Sequence, residues 1–189
     1  MVEFAYITGW RIDSEILPLE WLHVDFRSGE IRLDAGTTTN GEARTFRMTD
    51  DLRALLETQH AEYVERGKAG HLGPRVFVRM VAKGRRGPKA PMPIKSIGKA
   101  FTAACRDAGC PGRIPHDLRR TAIRNMVRRG VPERVSMKLT GHLTRSVFER
   151  YNIVSDGDLR SAAIQLAGLT GTKKGQSTSA TPASESRSA

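Results

Sequence analysis

The sequence predicts an α+β fold that is mainly helical and contains a small antiparallel β-sheet. Apolar residues recur at helical spacing in several segments, for example at Leu52, Leu55 and Leu56. Residues 31–33 and 44–46 instead alternate in polarity, and an Asn-Gly pair lies between them. Because Asn-Gly between alternating segments is a strong hairpin signal, we expect the antiparallel strands there.

The first elements are short. Residues 2–8 are mostly apolar and stop at Gly9, as a helix does at its C-terminal end. Asp13 or Ser14 is expected to cap a short helix that reaches residue 19. Thr49 and the two aspartates after it predict the start of a longer helix.

The second half is predicted to be helical after an irregular stretch. Glycines, prolines and basic residues dominate 66–93, so we expect loops around one brief strand at 76–78. The residues up to 169 are predicted to form one domain, and the Ser-, Thr- and Ala-rich segment 170–189 a disordered tail. The predicted helices of this half are 94–108, 116 to about 130, 132 to about 141, 146–151 and 156–167.

Composition indicates a globular protein with a polyanionic partner. The chain has 189 residues, of which 39% are hydrophobic and 27% charged. No apolar run reaches the roughly 18 residues that span a bilayer, and the N-terminus has no basic signal-peptide region. Two cysteines without histidine pairs make no zinc site, and they fit a reduced, cytoplasmic setting. We therefore expect no membrane and no small-molecule substrate.

The charge is concentrated in one part of the chain. Residues 1–60 contain 6 basic and 11 acidic residues, whereas residues 66–150 contain 21 basic and only 4 acidic ones. Ordinary solvated surfaces mix both signs. A basic block with a net charge of +17 therefore predicts nucleic acid as the partner.

The segment from residue 116 to residue 151 holds residues suited to phosphodiester chemistry. His116 and Arg119 are one helical turn apart and share a face of the predicted helix. A Gly-His pair ending at His142 follows, and Tyr151 comes last. Guanidinium and imidazole groups suit a charged phosphorus centre, and a phenol can attack it.

This order (H-x-x-R, G-H, eight residues, Tyr) resembles the catalytic domain of tyrosine recombinases, the phage integrase family. Residues 8–11, Thr-Gly-Trp-Arg, followed by 14–19, Ser-Glu-Ile-Leu-Pro-Leu, are similar to the family's first arginine box, T-G-x-R-x-x-E-(I/L)-x-x-L. The resemblance covers residues 1–169 and implies a helical catalytic domain of the DNA breaking-rejoining type. Family members usually carry a further N-terminal DNA-binding domain, so the chain is expected to be clipped at its N-terminus.

The resemblance implies a role for each residue. Tyr151 would attack a DNA phosphodiester, which gives a 3′-phosphotyrosyl link and a free 5′-hydroxyl. Arg11 and Arg119 would bind the non-bridging oxygens, His116 would exchange a proton with the tyrosine, and His142 would hydrogen-bond a phosphate oxygen. The expected process is DNA integration or site-specific recombination of a mobile element, by a homotetramer on double-stranded DNA and without a metal or other cofactor.

Plainer interpretations remain open from the residues alone. Tyr151 could pack its ring beside Phe148 and Ile153, and Arg11 could serve an ion pair with Glu15. Arg120 points about 100° away from its neighbour on a helix, so we assign it to backbone contact or a salt bridge. The remaining residues predicted to contact DNA are Arg44, Arg85, Arg86 and Lys95.

One departure from the family pattern weakens the prediction of full activity. The family's hairpin lysine, which protonates the leaving 5′-oxygen, corresponds to Thr39 here, and no lysine precedes Lys68. Losing a positioned general acid typically costs about 10²- to 10⁴-fold in rate. Two alternatives therefore stay open: a DNA-binding remnant that no longer cleaves, and a type IB topoisomerase-like activity with the same chemistry.

Overall fold

The computed structural model of the chain describes residues 1–38, 40–82, 84–85, 87–151, 154 and 156–167. The predicted tail, 170–189, lies outside these residues. No helix among the described residues has the length and apolar character needed to span a membrane. The helices are α1 (Val2–Thr8), α2 (Asp50–Lys68), α3 (Gly98–Asp107), α4 (His116–Arg128), α5 (Glu133–Thr140), α6 (Arg145–Glu149) and α7 (Asp156–Leu166). The strands are β1 (Val24–Asp25), β2 (Glu30–Leu33), β3 (Arg44–Arg47), β4 (Val78–Ala82) and β5 (Lys89–Pro93).

The chain divides into two compact units, residues 1–153 and 154–189. The first unit contains both sheets and helices α1 to α6. The described part of the second unit is residue 154, the helix α7 and residue 167. Every predicted site residue falls in the first unit.

The predicted hairpin is confirmed. Strands β1, β2 and β3 form an antiparallel sheet in that order, with Ile31 opposite Phe46 and Leu33 opposite Arg44. The side chains of these four residues are buried, while the residues between them face outward. Alternating polarity therefore reported the buried face correctly at Ile31, Leu33 and Phe46, but not at Arg44. The connection is longer than the two-residue turn that Asn-Gly suggests, since it runs from residue 34 to residue 43.

A second sheet was not predicted. Strands β4 and β5 pair antiparallel from Val78 opposite Pro93 to Ala82 opposite Lys89. Residues 76 and 77, which the sequence assigns to a brief strand, instead bury their side chains in the core. Two prolines in β5 hid the strand from sequence reasoning, because proline is normally confined to strand ends, edges or bulges. A two-stranded sheet has only edge strands, so it tolerates them.

The helices begin and end close to the predicted positions where a local signal marks them. The Thr49 hydroxyl accepts a hydrogen bond from the Leu52 amide at 3.3 Å and caps α2 as expected. The helix α3 starts four residues later than predicted, after Ile97, which is buried. The short helix expected up to residue 19 is a π-helical turn, Ile12–Ile16.

The core joins α1 to the first sheet and to α5. Trp10 lies directly after α1, and its ring packs edge-on against Phe4 and Phe46. Its indole N–H donates to the carbonyl oxygen of Leu139 in α5 at 3.0 Å. Since Trp10 is fully buried and immediately precedes Arg11, its packing positions the backbone of Arg11 at the edge of the core.

Candidate active site

Tyr151 and His116 meet at one surface. His116 is the first residue of α4, and Tyr151 lies in the turn that follows α6. The Nε2 atom of His116 lies 3.0 Å from the phenolic oxygen of Tyr151. This is hydrogen-bonding distance, so the imidazole can accept the phenolic proton directly. Phe148 is buried and packs against His142, while Ile153 lies outside the described residues.

His142 lies in the turn that ends α5. Gly141 has a φ of +72°, the left-handed conformation that glycine tolerates best, and the His142 amide then donates to the Met137 carbonyl at 2.9 Å. The Nδ1 atom of His142 lies 2.7 Å from the Thr140 hydroxyl. The imidazole ring lies 5.3 Å from the Tyr151 ring, measured between centroids.

Arg119 connects α4 to the end of α1 and to His142. Its guanidinium is buried and donates to the Gly9 carbonyl oxygen at 2.6 Å. The other terminal nitrogen, Nη2, lies 3.1 and 3.2 Å from the two ring nitrogens of His142. Because the group is held on two sides, it is fixed before any ligand arrives.

Arg11 lies on the same side of the molecule as the other four residues. Its guanidinium donates to Glu15 Oε1 at 3.0 Å, and its backbone N–H donates to Oε2 of the same carboxylate at 2.8 Å. Its side chain is 31% exposed, so part of the guanidinium faces solvent. Arg11, His116 and Arg119 together line a cavity of about 250 Å³, which also borders Ser14 and Pro115.

Glu15 is a site residue that sequence reasoning recognised only in part. The expected ion pair with Arg11 forms, but the carboxylate is fully buried and also pairs with Arg44 Nη1 at 3.2 Å. The side chain of Arg44, which the sequence analysis assigned to DNA contact, is only 3% exposed. No local pattern links the two residues, because they are 29 positions apart in the sequence.

The loop between β2 and β3 is tied to the turn that carries His142. Asn40 accepts a hydrogen bond from Arg44 Nη2 at 3.4 Å and donates to the Gly141 carbonyl oxygen at 3.4 Å. The Thr38 hydroxyl lies 2.7 Å from the same Asn40 side-chain oxygen. Thr39, which the resemblance matches to the family's lysine, lies outside the described residues.

The spacing between Arg11 and Glu15 differs by one residue from the family's arginine box, and Glu15 lies in a π-helical turn that Arg11 precedes. The arginine box places the acidic residue three positions after the arginine, whereas Glu15 comes four positions after Arg11. The backbone widens in this turn: the Glu15 amide donates to the Arg11 carbonyl at 2.9 Å, but the Ile16 amide also donates to the Arg11 carbonyl at 3.0 Å, and the Leu17 amide to the Ile12 carbonyl at 2.8 Å. Such i to i+5 bonds are rare and occur frequently at functional sites.

The electrostatics favour neutral histidines beside charged arginines. Burial, followed by the charge of Arg119, lowers the pKa of His142 to about 3. The same two causes lower the pKa of His116 below its ordinary value. Burial and the nearby Arg11 lower the pKa of Arg119 to about 10, so it stays protonated at neutral pH. The site therefore holds fixed positive charge beside imidazoles that are uncharged at neutral pH.

The other predicted DNA contacts differ in exposure. Arg120 pairs with Asp117 at 3.1 Å, as one of the two interpretations predicted, and its guanidinium carbon lies 6.0 Å from the Tyr151 ring centroid. Arg85 and Lys95 are exposed, and Arg86 lies outside the described residues. Within the described part of the chain, no three His, Cys, Asp or Glu residues are grouped to hold a metal ion.

A mainly helical domain with small antiparallel sheets is the catalytic-domain fold of tyrosine recombinases, and in this chain a tyrosine, two histidines and two arginines lie close together in it. Residues 1–157 match the phage integrase family, and the chain belongs to that family.

Solved structures of recombinases share this fold. XerA recombinase is similar with a TM-score of 0.66 and 19% identity, over 88% of this chain and 61% of that one. The Tn1549 transposon integrase in complex with transposon right end DNA is similar with a TM-score of 0.63 and 16% identity, over 89% of this chain and 57% of that one. A lambda integrase dimer bound to a core site gives a TM-score of 0.53 and 18% identity, over 80% and 50%. The chain thus spans about three fifths of the length of these relatives or less, and no curated protein matches it in sequence.

Proposed function

We propose that this protein cleaves and rejoins double-stranded DNA in site-specific recombination, through a covalent link between Tyr151 and a 3′-phosphate. The observation that carries the proposal is the 3.0 Å approach of His116 Nε2 to the Tyr151 phenol. This pair adjoins a cavity lined by Arg11 and Arg119. A nucleophile, a proton acceptor and two cations are therefore gathered where one scissile phosphate would bind.

The cleavage step uses these groups in sequence. Neutral His116 accepts the phenolic proton while the Tyr151 oxygen attacks phosphorus, and the bond from phosphorus to the 5′-oxygen breaks. Arg11, with its exposed face, and Arg119, which is already fixed, stabilise the extra negative charge of the transition state. His142 lies close enough to the tyrosine ring to reach the same phosphate. Rejoining reverses these steps, and the phosphotyrosyl bond conserves the energy, so no nucleotide cofactor is consumed.

The leaving 5′-oxygen needs a proton, and the absence of a lysine that could donate it at position 39 favours the alternative function, a DNA-binding remnant. A threonine hydroxyl is too weak an acid to replace the ammonium group that the family places at the position of Thr39. A DNA-binding remnant that does not cleave is the second candidate for this reason. The two candidates share the basic surface and differ only in turnover.

Covalent capture of DNA tests the proposal. The protein is incubated with a pool of nicked duplexes of randomised sequence, in which cleavage releases a short fragment and traps the complex. We expect a protein–DNA adduct on a denaturing gel that is absent from Tyr151→Phe. An adduct that persists in Tyr151→Phe would remove the tyrosine from its assigned role. The matched control is Tyr6→Phe, which removes the hydroxyl of an exposed tyrosine in α1 and should keep full adduct formation.

Thr39→Lys separates the two candidates. If only the lysine variant forms the adduct, the rest of the site is competent and the natural chain is the remnant. If neither protein forms an adduct but both bind duplex DNA with a steep loss of affinity in salt, DNA binding alone is supported. The assembly on DNA, which we propose to be a homotetramer, is measured by the mass of the complex on a duplex that yields the adduct.

A further inference from the structure

The only two cysteines of the chain meet at the C-terminal end of α3. The Cys110 amide donates to the Cys105 carbonyl at 2.9 Å, and the Gly109 amide donates to the Arg106 carbonyl at 3.0 Å. Gly109 has a φ of +72°. This pair of hydrogen bonds with a left-handed glycine is the Schellman motif, in which the first and last residues of the turn bring their side chains together.

The backbone fixes how far apart the two cysteines are. With an N to O distance of 2.9 Å, standard bond lengths limit the separation of the two Cα atoms to about 6.8 Å at most. Disulfides in proteins have Cα separations of about 4.4–6.8 Å. The turn therefore keeps the Cα atoms of Cys105 and Cys110 no farther apart than the upper limit that a disulfide allows.

The two thiols differ in their exposure to solvent. Cys110 is exposed, whereas Cys105 is half-buried and packs against the core. Burial, followed by the interacting Cys110 thiol, raises the pKa of Cys105. The exposed thiol is thus the one that an external oxidant reaches first, and the half-buried thiol is adjacent to it.

We propose that Cys105 and Cys110 are a redox modification site that forms a reversible intramolecular disulfide with a small disulfide oxidant such as oxidised glutathione. The Cys110 thiolate attacks the glutathione disulfide and releases one glutathione, which takes up a proton. The Cys105 thiolate then attacks the mixed disulfide at the Cys110 sulfur and releases the second glutathione. The two cysteines lose two electrons and two protons, and one glutathione disulfide becomes two glutathione molecules.

The disulfide would link the last turn of α3, which contains Cys105, to Cys110 in the loop that leads to α4. This loop is short and is followed directly by His116. The same turn geometry occurs at the end of α4, where the Val131 amide donates to the Met126 carbonyl at 3.0 Å after Gly130. There the paired side chains, Met126 and Val131, are apolar and pack in the core. The turn geometry alone therefore does not require thiols at the end of α3.

Mass spectrometry of the full chain after equilibration with glutathione redox buffers tests the site. We expect the wild type to lose two hydrogen atoms in mass, to fall from two titratable thiols to none, and to stay a single chain on a non-reducing gel. Cys110→Ser has a single thiol, so it should form no intramolecular disulfide and should gain at most one glutathione, on Cys105. Glutathione adducts that persist on the wild type, or covalent dimers, would overturn the proposal.

A second pair of variants shows whether the turn geometry drives ring closure. Gly109→Ala strains the turn between the cysteines, since an alanine there must adopt a positive φ. Gly130→Ala introduces the same strain in the turn after α4, and neither glycine has a neighbour that a methyl group would meet. We expect several-fold less disulfide for Gly109→Ala at equal redox poise, and the wild-type level for Gly130→Ala. Equal disulfide levels in both variants would contradict the role of the turn.

Discussion

The buried carboxylate of Glu15 connects the exposed Arg11 to the buried Arg44, and removing its charge tests how the site is held together. Glu15→Gln keeps the shape of the side chain but leaves the Arg44 guanidinium, which is 3% exposed, without a counter-charge. Breaking a buried pair in this way typically costs about 3–5 kcal/mol. A domain of this size is stable by about 5–15 kcal/mol, so the variant should lose a large fraction of its stability.

Equilibrium unfolding in urea measures this loss, and an exposed ion pair provides the control. Lys68 and Glu65 lie 2.6 Å apart, but both side chains are 68% exposed. Glu65→Gln should therefore change the free energy of unfolding by no more than about 1 kcal/mol. If Glu15→Gln is as mild as Glu65→Gln, the carboxylate does not hold the arginines and our account of the site is wrong.

A double variant identifies the cause of the loss. Arg44→Met removes the buried guanidinium, so adding it to Glu15→Gln takes away the charge that the first substitution left unpaired. The stability of the double variant should then exceed that expected from adding the two single effects, because the residues interact directly. Strict additivity would show that the two residues act independently of each other.

Three further outcomes follow from the geometry. Gly141→Ala should destabilise the protein in thermal unfolding more than Gly112→Ala does, since both positions have positive φ but only at Gly141 would an added Cβ overlap the Arg44 guanidinium. Thr49→Ala should cost about 1 kcal/mol in urea unfolding because it removes the cap of α2. The unfolded chain protonates His142 near pH 6.5, whereas the folded chain, in which the pKa is lowered, does so only near about 3. The free energy of unfolding should therefore fall as the pH is lowered between these values. The fall is at most about 1.4 kcal/mol per pH unit, and less where solvent screens the imidazole. His142→Gln should flatten this part of the pH profile of urea unfolding.

The sequence predicted those parts of the fold that local signals specify. The Thr49 cap, the alternation around Ile31 and Phe46, and the glycine that ends α1 each depend on a few neighbouring residues. The gathering of the tyrosine, the histidines and the two arginines was predicted through the family resemblance, because nothing in the spacing alone places Arg11 near His116. The structure lines one cavity with both residues.

What could not be predicted depends on contacts between distant parts of the chain. Strand β5 carries two prolines, so its composition indicated a loop until β4 supplied a partner. Arg44 looked like a surface cation within a basic protein, and only its approach to Glu15 explains why the protein buries it. A charge count cannot distinguish an arginine that binds DNA from one that organises the site.

The turn from Ile12 to Ile16 shows which feature of the arginine box the fold preserves. An ordinary α-helical turn with one extra residue would rotate the following side chain by about 100°. Glu15 nevertheless contacts the Arg11 amide, the Arg11 guanidinium and the Arg44 guanidinium, because residues four positions apart lie on one face of a helical turn. The Glu15 amide donates to the Arg11 carbonyl at 2.9 Å, as in an α-helix, and the i to i+5 bonds begin with the Ile16 and Leu17 amides that follow it. In this chain the carboxylate therefore contacts both arginines although it lies one position further from Arg11 than in the family pattern.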